Sequence, residues 1–275
     1  MNKEFLKEIL SIPTYSGQEQ LVIKYLTNYA IENNVECTID RFGNVYLYKG
    51  EMKEGEFRPC VVAHTDTVHV YHDELVSSNK RLVIKQEIDE IKDGEGYYEV
   101  TSLRAYDPIN GEQTGIGGDD KAGIFIALQL FEKHEKIMAA FFVSEEVGCI
   151  GSRAADKENF KNVGWFIQFD APTDNWVSKS CNGVELFDDN FQDNIMDILT
   201  KHGQTKISHD PYTDVFALRP KTGINCINIF AGYERLHTKS EYVVIENVQK
   251  SIDLAKDLID HLGHSEYKYE GNDIY

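Results

Sequence analysis

Basic side chains are scarce in this chain. Lysine and arginine number 28 against 46 aspartates and glutamates, a formal charge of −18 over 275 residues. A body of that sign disfavours nucleic acid and anionic membrane as partners, and it suits cations, metal ions or substrates with a free amine. Good solubility is the plainer consequence of the same charge. Cysteine is sparse and scattered too. Cys37, Cys60, Cys149, Cys181 and Cys226 are odd in number and form no CxxC pair, which argues against a disulfide framework and a thiolate zinc knuckle. Cys60 and Cys226 sit in apolar runs and read as small core residues. Long apolar runs are missing as well. Charges recur every few residues through MNKEFLKEILSIP at the N-terminus, and no stretch approaches the roughly 20 apolar residues of a membrane span. A cytoplasmic location is therefore the default expectation.

What is present is a folding chain. Hydrophobic residues make up 41% and aromatics 11%, enough for a globular protein with a sizeable core. Phe5, Leu6, Ile9 and Leu10 mark one face of a short helix before Pro13. Ser16 and Glu19 have the spacing of a capping box ahead of a second helix that carries Leu21, Val22, Tyr25, Leu26 and Tyr29. CTIDRFGNVYLYKG reads as two strands about a turn at Gly43–Asn44. PCVVAH, AAFFVSEE and GWFIQFDA read as buried strands. The segment 71–112 is the most loop-like, with short strands near 82–86 and 98–103 and a solvated acidic run at 87–96. After a helix from Lys121 come helices near 189–202 and 213–218, strands near 204–208 and over INCINIFAG, and a long helix over 246–262. Strands alternating with helices predict an α/β fold: a mixed, mostly parallel twisted central sheet with helices on both faces.

Three of the buried strands end in polar groups: His64 and Asp66 in AHTD, Glu145 and Glu146 in SEE, Asp170 in FD. In open α/β sheets ligands bind beyond the carboxyl ends of the strands. Asp119, beside Asp120 in GIGGDDKAGI, and His237 in GYERLHTKSEY extend the set. Imidazole nitrogen with carboxylate oxygen, and no thiolate, is a donor mix that zinc accepts.

HTDTV, GGDDKAG, SEEVGCIG, QFDA and HTKSEY occur in that order. Together they resemble the five motifs of the two-zinc exopeptidases, which include peptidase T, aminoacylase and carboxypeptidase relatives, and single-domain leucine aminopeptidases. LSIPTYSGQE and DRFGNV resemble the same group, so the likeness spans roughly residues 5–260. It implies two divalent metal ions, zinc first, with cobalt and manganese as alternatives. His64 and Asp170 would bind one metal, Glu146 and His237 the other, and Asp119 would bridge them. The peptide after Asp119 would be cis, Asp120 would not be a ligand, and Gly117 and Gly118 would allow close approach. Asp66 would hydrogen-bond the other nitrogen of His64. Glu145 would be the general base that takes a proton from the attacking water and passes it to the leaving amine.

Other residues have plainer readings. His69 and His72 match no motif and read as surface histidines. Tyr233 and Arg219 read as packing or surface residues, with substrate contact as the alternative. Asp214 reads as a helix cap, with a substrate amine as the alternative. Only 66 residues separate Asp170 from His237, and 52 separate Asp66 from Asp119. That is too few for the large lid or dimerisation domain many relatives insert, though a small subdomain or flap would fit between Asp66 and Asp119, so residues 1–275 are expected to form one catalytic domain. The expected activity is an aminopeptidase on short peptides. The alternatives are a deacylase or carboxypeptidase acting on acyl-amino acids, for which Arg153, Arg219 or Arg235 would anchor an anion, and a metal-bound binding module without catalysis.

Overall fold

The computed structural model describes residues 1–71, 73–92, 96–210 and 212–271. Four parallel strands form its centre, in the order Ile137–Phe142, Arg58–His64, Val163–Ala171 and Cys226–Phe230. All six residues of Ile137–Phe142 are buried, as are the last six of Arg58–His64. Strands covered on both faces take such unbroken apolar runs. Val45–Lys49 and Glu36–Ile39 continue the sheet on one side, and Trp176–Cys181 on the other, each joined antiparallel. Val184–Glu185 and Lys206–Asp210 complete a nine-stranded mixed sheet, parallel at its centre and largely antiparallel at its margins.

Helices cover both faces. Gly118–Lys133 lies on strands Arg58–His64 and Val163–Ala171 and carries Lys3–Leu10 and Ile245–Leu262 against its outer side. The helix Asp214–Thr222 packs on the same two strands from the other face, with the short helix Ile150–Ala154 beside it. Lys121 is buried at the first of these junctions. Its ammonium donates to the carbonyls of Leu10 and Ile12 at 2.7 and 2.9 Å, satisfying acceptors at the C-terminal end of the first helix.

The polar segment 71–112 holds the strands expected near 82–86 and 98–103, but they run further than expected. Val83–Lys92 and Tyr97–Tyr106 pair over ten residues as a long antiparallel hairpin. With Gln113–Thr114, Tyr242–Val244 and Tyr233–Glu234 they make a second, five-stranded sheet. Val100, Leu103 and Ala105 are buried, and charge pairs run across the strands beside them. Arg104 lies 2.7 Å from Asp89 and 3.2 Å from Glu87, and such opposed pairs stabilise a ladder whose outer face is wet. The acidic run is thus strand through residue 92, and its positions 93–95 lie outside the described residues. No helix among the described residues is long and apolar enough to cross a membrane.

Candidate functional site

Three central strands stop at one edge of the sheet. His64 ends Arg58–His64 and pairs in register with Phe142, the end of Ile137–Phe142. Asp170 is the penultimate residue of the neighbouring Val163–Ala171. Beyond Phe142 the chain leaves the sheet, so Glu145 and Glu146 sit in a turn and not on the strand end that AAFFVSEE suggested. Ser144 enters that turn at φ 56°, and the N–H groups of Gly148 and Cys149 both donate to the Glu145 carbonyl at 2.8 Å. Cys149, Arg235 and His237 also have positive φ, at 54°, 56° and 61°. Non-glycine residues in that region are strained and concentrate at functional sites.

Asp119 enters from the start of Gly118–Lys133. A Cβ on Gly117, at φ 64°, would lie 2.6 Å from Thr67 Cγ2, and one on Gly118 would lie 2.7 Å from Tyr233 Cβ. Glycine alone lets the loop come this close. The Asp119–Asp120 peptide is cis, and the two carboxylates part company. Asp120 turns inward, accepting the N–H of Gly123 at 3.0 Å and of His64 at 3.2 Å. Asp119 turns outward, with Oδ1 3.0 Å from His64 Nε2 and Oδ2 3.2 Å from His237 Nε2.

The other expected ligands gather around those contacts. Asp170 Oδ1 lies 3.7 Å from His64 Nε2, and Glu146 Oε2 lies 3.2 Å from His237 Nε2. Glu145 Oε2 is 4.0 Å from His64 Nε2. Proximity alone would therefore also group Glu145 with His64 and Asp170.

Asp66 sits beside the expected nitrogen of His64 but has further partners. His64 Nδ1 lies 3.0 Å from the backbone carbonyl of Asp66 and 3.5 Å from its carboxylate. The carboxylate accepts from Ser16 Oγ at 2.7 Å and from the N–H groups of Glu145 and Glu146 at 2.9 and 3.2 Å. It ties the glutamate turn to the His64 strand. The expected capping box does not form: Gln20–Glu32 has Glu19 as its N-cap residue with no side-chain cap, and Glu19 accepts from Gly17 N–H and Ser144 Oγ.

The electrostatics follow from crowding. Burial pushes Glu145 up to about 7, opposed by His64 and assisted by Asp119 and Glu146. Burial also holds Asp170 well above the carboxylate range, with Asp119 adding to it, and raises Glu146. At Asp119 burial acts the same way, but hydrogen bonds from His237 and His64 outweigh it and keep the group low. Hydrogen bonds to Asp119 and Glu146 raise His237 to about 10. Among the described residues, every ion pair of these carboxylates is with a histidine and none with lysine or arginine. Glu146 Oε1 is buried without a hydrogen-bond partner. A buried excess of negative charge with an orphaned oxygen is relieved by protonation or by bound cations, and these groups could hold a metal ion.

Glu241, in the last motif, has no role from sequence reasoning. Its buried carboxylate accepts Gly117 N–H at 2.9 Å and Asp119 N–H at 3.1 Å, and lies 2.6 Å from His69 Nε2. His69 is thus a largely buried partner and not a surface histidine; His72 lies outside the described residues. The signal available was a carboxylate four residues after His237 in a motif whose remaining polar residues had no task. Glu241→Ala should orphan the two loop donors, at about 1–3 kcal/mol for each that stays buried without a partner. The urea midpoint should fall accordingly. A loss of stability under about 0.5 kcal/mol, the range of ordinary surface substitutions, would show that the loop does not depend on this carboxylate.

Tyr233 is buried, with its hydroxyl 3.4 Å from Asp170 Oδ1. Asp214 is fully buried at the first turn of its helix, where the N-cap residue is Thr213, so the cap reading fails. Its Oδ2 accepts from Gln168, whose amide also reaches Asp170 Oδ2, both at 3.4 Å. The three arginines considered as anion anchors are engaged by other partners. Arg153 donates to the Gly148 carbonyl and lies over Phe216, Arg219 lies over Tyr269, and Arg235 lies over Tyr242.

No family profile and no curated protein sequence matches this chain. Solved structures do. The aminopeptidase PepT from Bacillus cereus aligns with a TM-score of 0.67 at 16% identity, over 94% of this chain and 97% of that one. An aminopeptidase from the archaeon Desulfurococcus kamchatkensis aligns with a TM-score of 0.67 at 16% identity, over 99% and 98%. The TET1 peptidase of Pyrococcus horikoshii, which can assemble into a tetrahedron or a large octahedral shell, aligns with a TM-score of 0.63 at 16% identity, over 93% and 98%. The chain has the fold of these peptidases, the fold that its motif order led us to expect.

Proposed function

We propose that this chain is a metal-dependent exopeptidase that removes the N-terminal residue of short peptides, with residues 1–275 working as one catalytic domain without a lid insertion. The observation that carries the reading is the divided face of Asp119. One oxygen meets His64 on the side of Asp170, and the other meets His237 on the side of Glu146. The donor set fits two divalent ions, zinc foremost and cobalt or manganese by the same nitrogen and oxygen chemistry. His64 and Asp170 would hold one, Glu146 and His237 the other, and Asp119 both. When bound, such a pair polarises a carbonyl and acidifies water.

The chain's own residues supply the rest. Glu145 lines the cavity beside these ligands and is not needed to complete either set. Its carboxylate is placed to take a proton from the attacking water and return it to the departing amine. Nearby cations favour its ionised form, offsetting the rise that burial causes. The Asp66 carboxylate holds Glu145 and Glu146 in place through their N–H groups. A free α-amine suits the acidic surroundings. That acidic lining favours the aminopeptidase over an acyl-amino-acid deacylase or carboxypeptidase, and Arg153 donates its Nε–H to the carbonyl of the lining Gly148.

Two measurements test the reading. Chelation should abolish hydrolysis of di- and tripeptides, and zinc or another divalent ion should restore it; full activity in demonstrably metal-free protein would refute the metal. Acetylating the α-amine should greatly reduce turnover. N-acetyl amino acids cut faster than free peptides would replace this reading with the deacylase.

A further inference from the structure

A cavity of about 490 Å³ opens over the metal-ligating carboxylates. Its floor is acidic and its walls are not. Pro172 follows directly on the strand that carries Asp170, Tyr233 leans in from the second sheet, Leu236 precedes His237, and Tyr212 precedes the helix Asp214–Thr222. These walls are backed by structure. Tyr212 meets Phe216 edge-on, with ring centroids 5.8 Å apart at 90°, and Phe216 belongs to that helix. Tyr233 meets Phe230 at 5.8 Å, and its hydroxyl is spent on Asp170. Leu236 packs against the hydrophobic core.

The walls contain no lysine or arginine among the described residues, and every carboxylate on the cavity lining belongs to the floor. A substrate side chain that carried negative charge into this space would face the acidic floor, and one that carried positive charge would find no carboxylate on the walls that hold it. A side chain of hydrogen or methyl would leave the apolar walls uncovered. We infer that this cavity selects peptides whose N-terminal residue has a large uncharged apolar side chain, aliphatic or aromatic, held by Tyr212, Leu236 and Pro172. The inference rests on the exopeptidase reading above and adds the specificity, which neither the motifs nor the ligand geometry contains.

The test is a panel of free X-Gly dipeptides, with X as Gly, Ala, Leu, Phe, Lys or Glu, given to the full chain loaded with zinc. Filling an apolar pocket discriminates by about 10-fold or more for each methylene-sized step. Leu-Gly and Phe-Gly should therefore exceed Gly-Gly, Lys-Gly and Glu-Gly in kcat/KM by at least about 10-fold. Leu236→Ala and Tyr212→Ala should each shrink the Leu-Gly to Gly-Gly ratio, and Leu236→Glu should raise Lys-Gly relative to Leu-Gly. Folding of each variant is checked by circular dichroism, and the parent panel decides alone if a variant does not fold. A flat panel, or a preference for Lys-Gly or Glu-Gly, overturns the specificity while leaving the exopeptidase intact. No hydrolysis of any free peptide by the metal-loaded chain overturns the exopeptidase reading, and the specificity with it.

Discussion

Glu145→Gln should lower turnover by about 10²–10⁴, the usual cost of losing a general base, while both metals stay bound. The amide keeps the size of the side chain and can still accept from Cys149 Sγ, 3.2 Å away, but it cannot take a proton from water. Its neighbour should fail in a different way. Glu146 Oε2 lies 3.2 Å from His237 Nε2, and its other oxygen is buried without a partner. Glu146→Gln replaces an anionic donor with a neutral one, so the metal on the His237 side should weaken first. Excess metal should then restore part of the activity of Glu146→Gln and little of that of Glu145→Gln. The two residues share one turn and one clamp, since Asp66 accepts both of their N–H groups. A general disturbance of that turn would damage the variants alike, which makes the contrast between them informative. Metal stoichiometry and turnover, followed across metal concentration, give the answer. Metal loss in Glu145→Gln, with two ions retained and no turnover in Glu146→Gln, would exchange the roles of base and ligand.

The second large effect is on stability. Asp119, Glu145, Glu146 and Asp170 crowd around two imidazoles, and burial, which acts upward on all four, leaves Glu145, Glu146 and Asp170 raised. A ligand that binds only the folded chain stabilises it by about 2.7 kcal/mol at 100 times its dissociation constant. At roughly 2–4 °C per kcal/mol for a domain approaching this size, zinc should raise the melting midpoint by about 5–10 °C. Asp119→Asn should lose most of that gain, because Asp119 is the group that faces both histidines. Calorimetry of parent and variant, with and without zinc, measures it without reference to catalysis. An equal rise in both proteins would show that the ions bind without Asp119, and the divided-face argument would fall.

How far the sequence reaches can be judged residue by residue. Val61, Val62 and Ala63 announce a strand covered on both faces, and the polar His64 at its end announces the sheet edge. The same logic found Asp170 and brought the two glutamates close, because an apolar run that stops at a carboxylate is a local signal. Gly117 and Gly118 before Asp119 were legible for a similar reason: only glycine admits a backbone so near Thr67 and Tyr233. The central strands and the long helices therefore follow from patterns a few residues wide.

What only the tertiary structure decided are contacts between distant segments. Glu241 reaches Gly117 across 124 positions and His69 across 172, and Ser16 reaches Asp66 across 50. No window of sequence contains either end of such a pair together with the other. The two strands of the hairpin were legible, but their extension through the acidic run escaped for a related reason. Along that run Glu87 and Asp89 face Arg104 on the opposite strand, and charges read singly along the chain look like a solvated loop. Asp66 shows the division within one residue. Its place beside His64 was legible from a spacing of two. That its carboxylate would hold the backbone of Glu145 and Glu146 depended on the fold bringing that turn, some eighty residues away, to the same edge of the sheet.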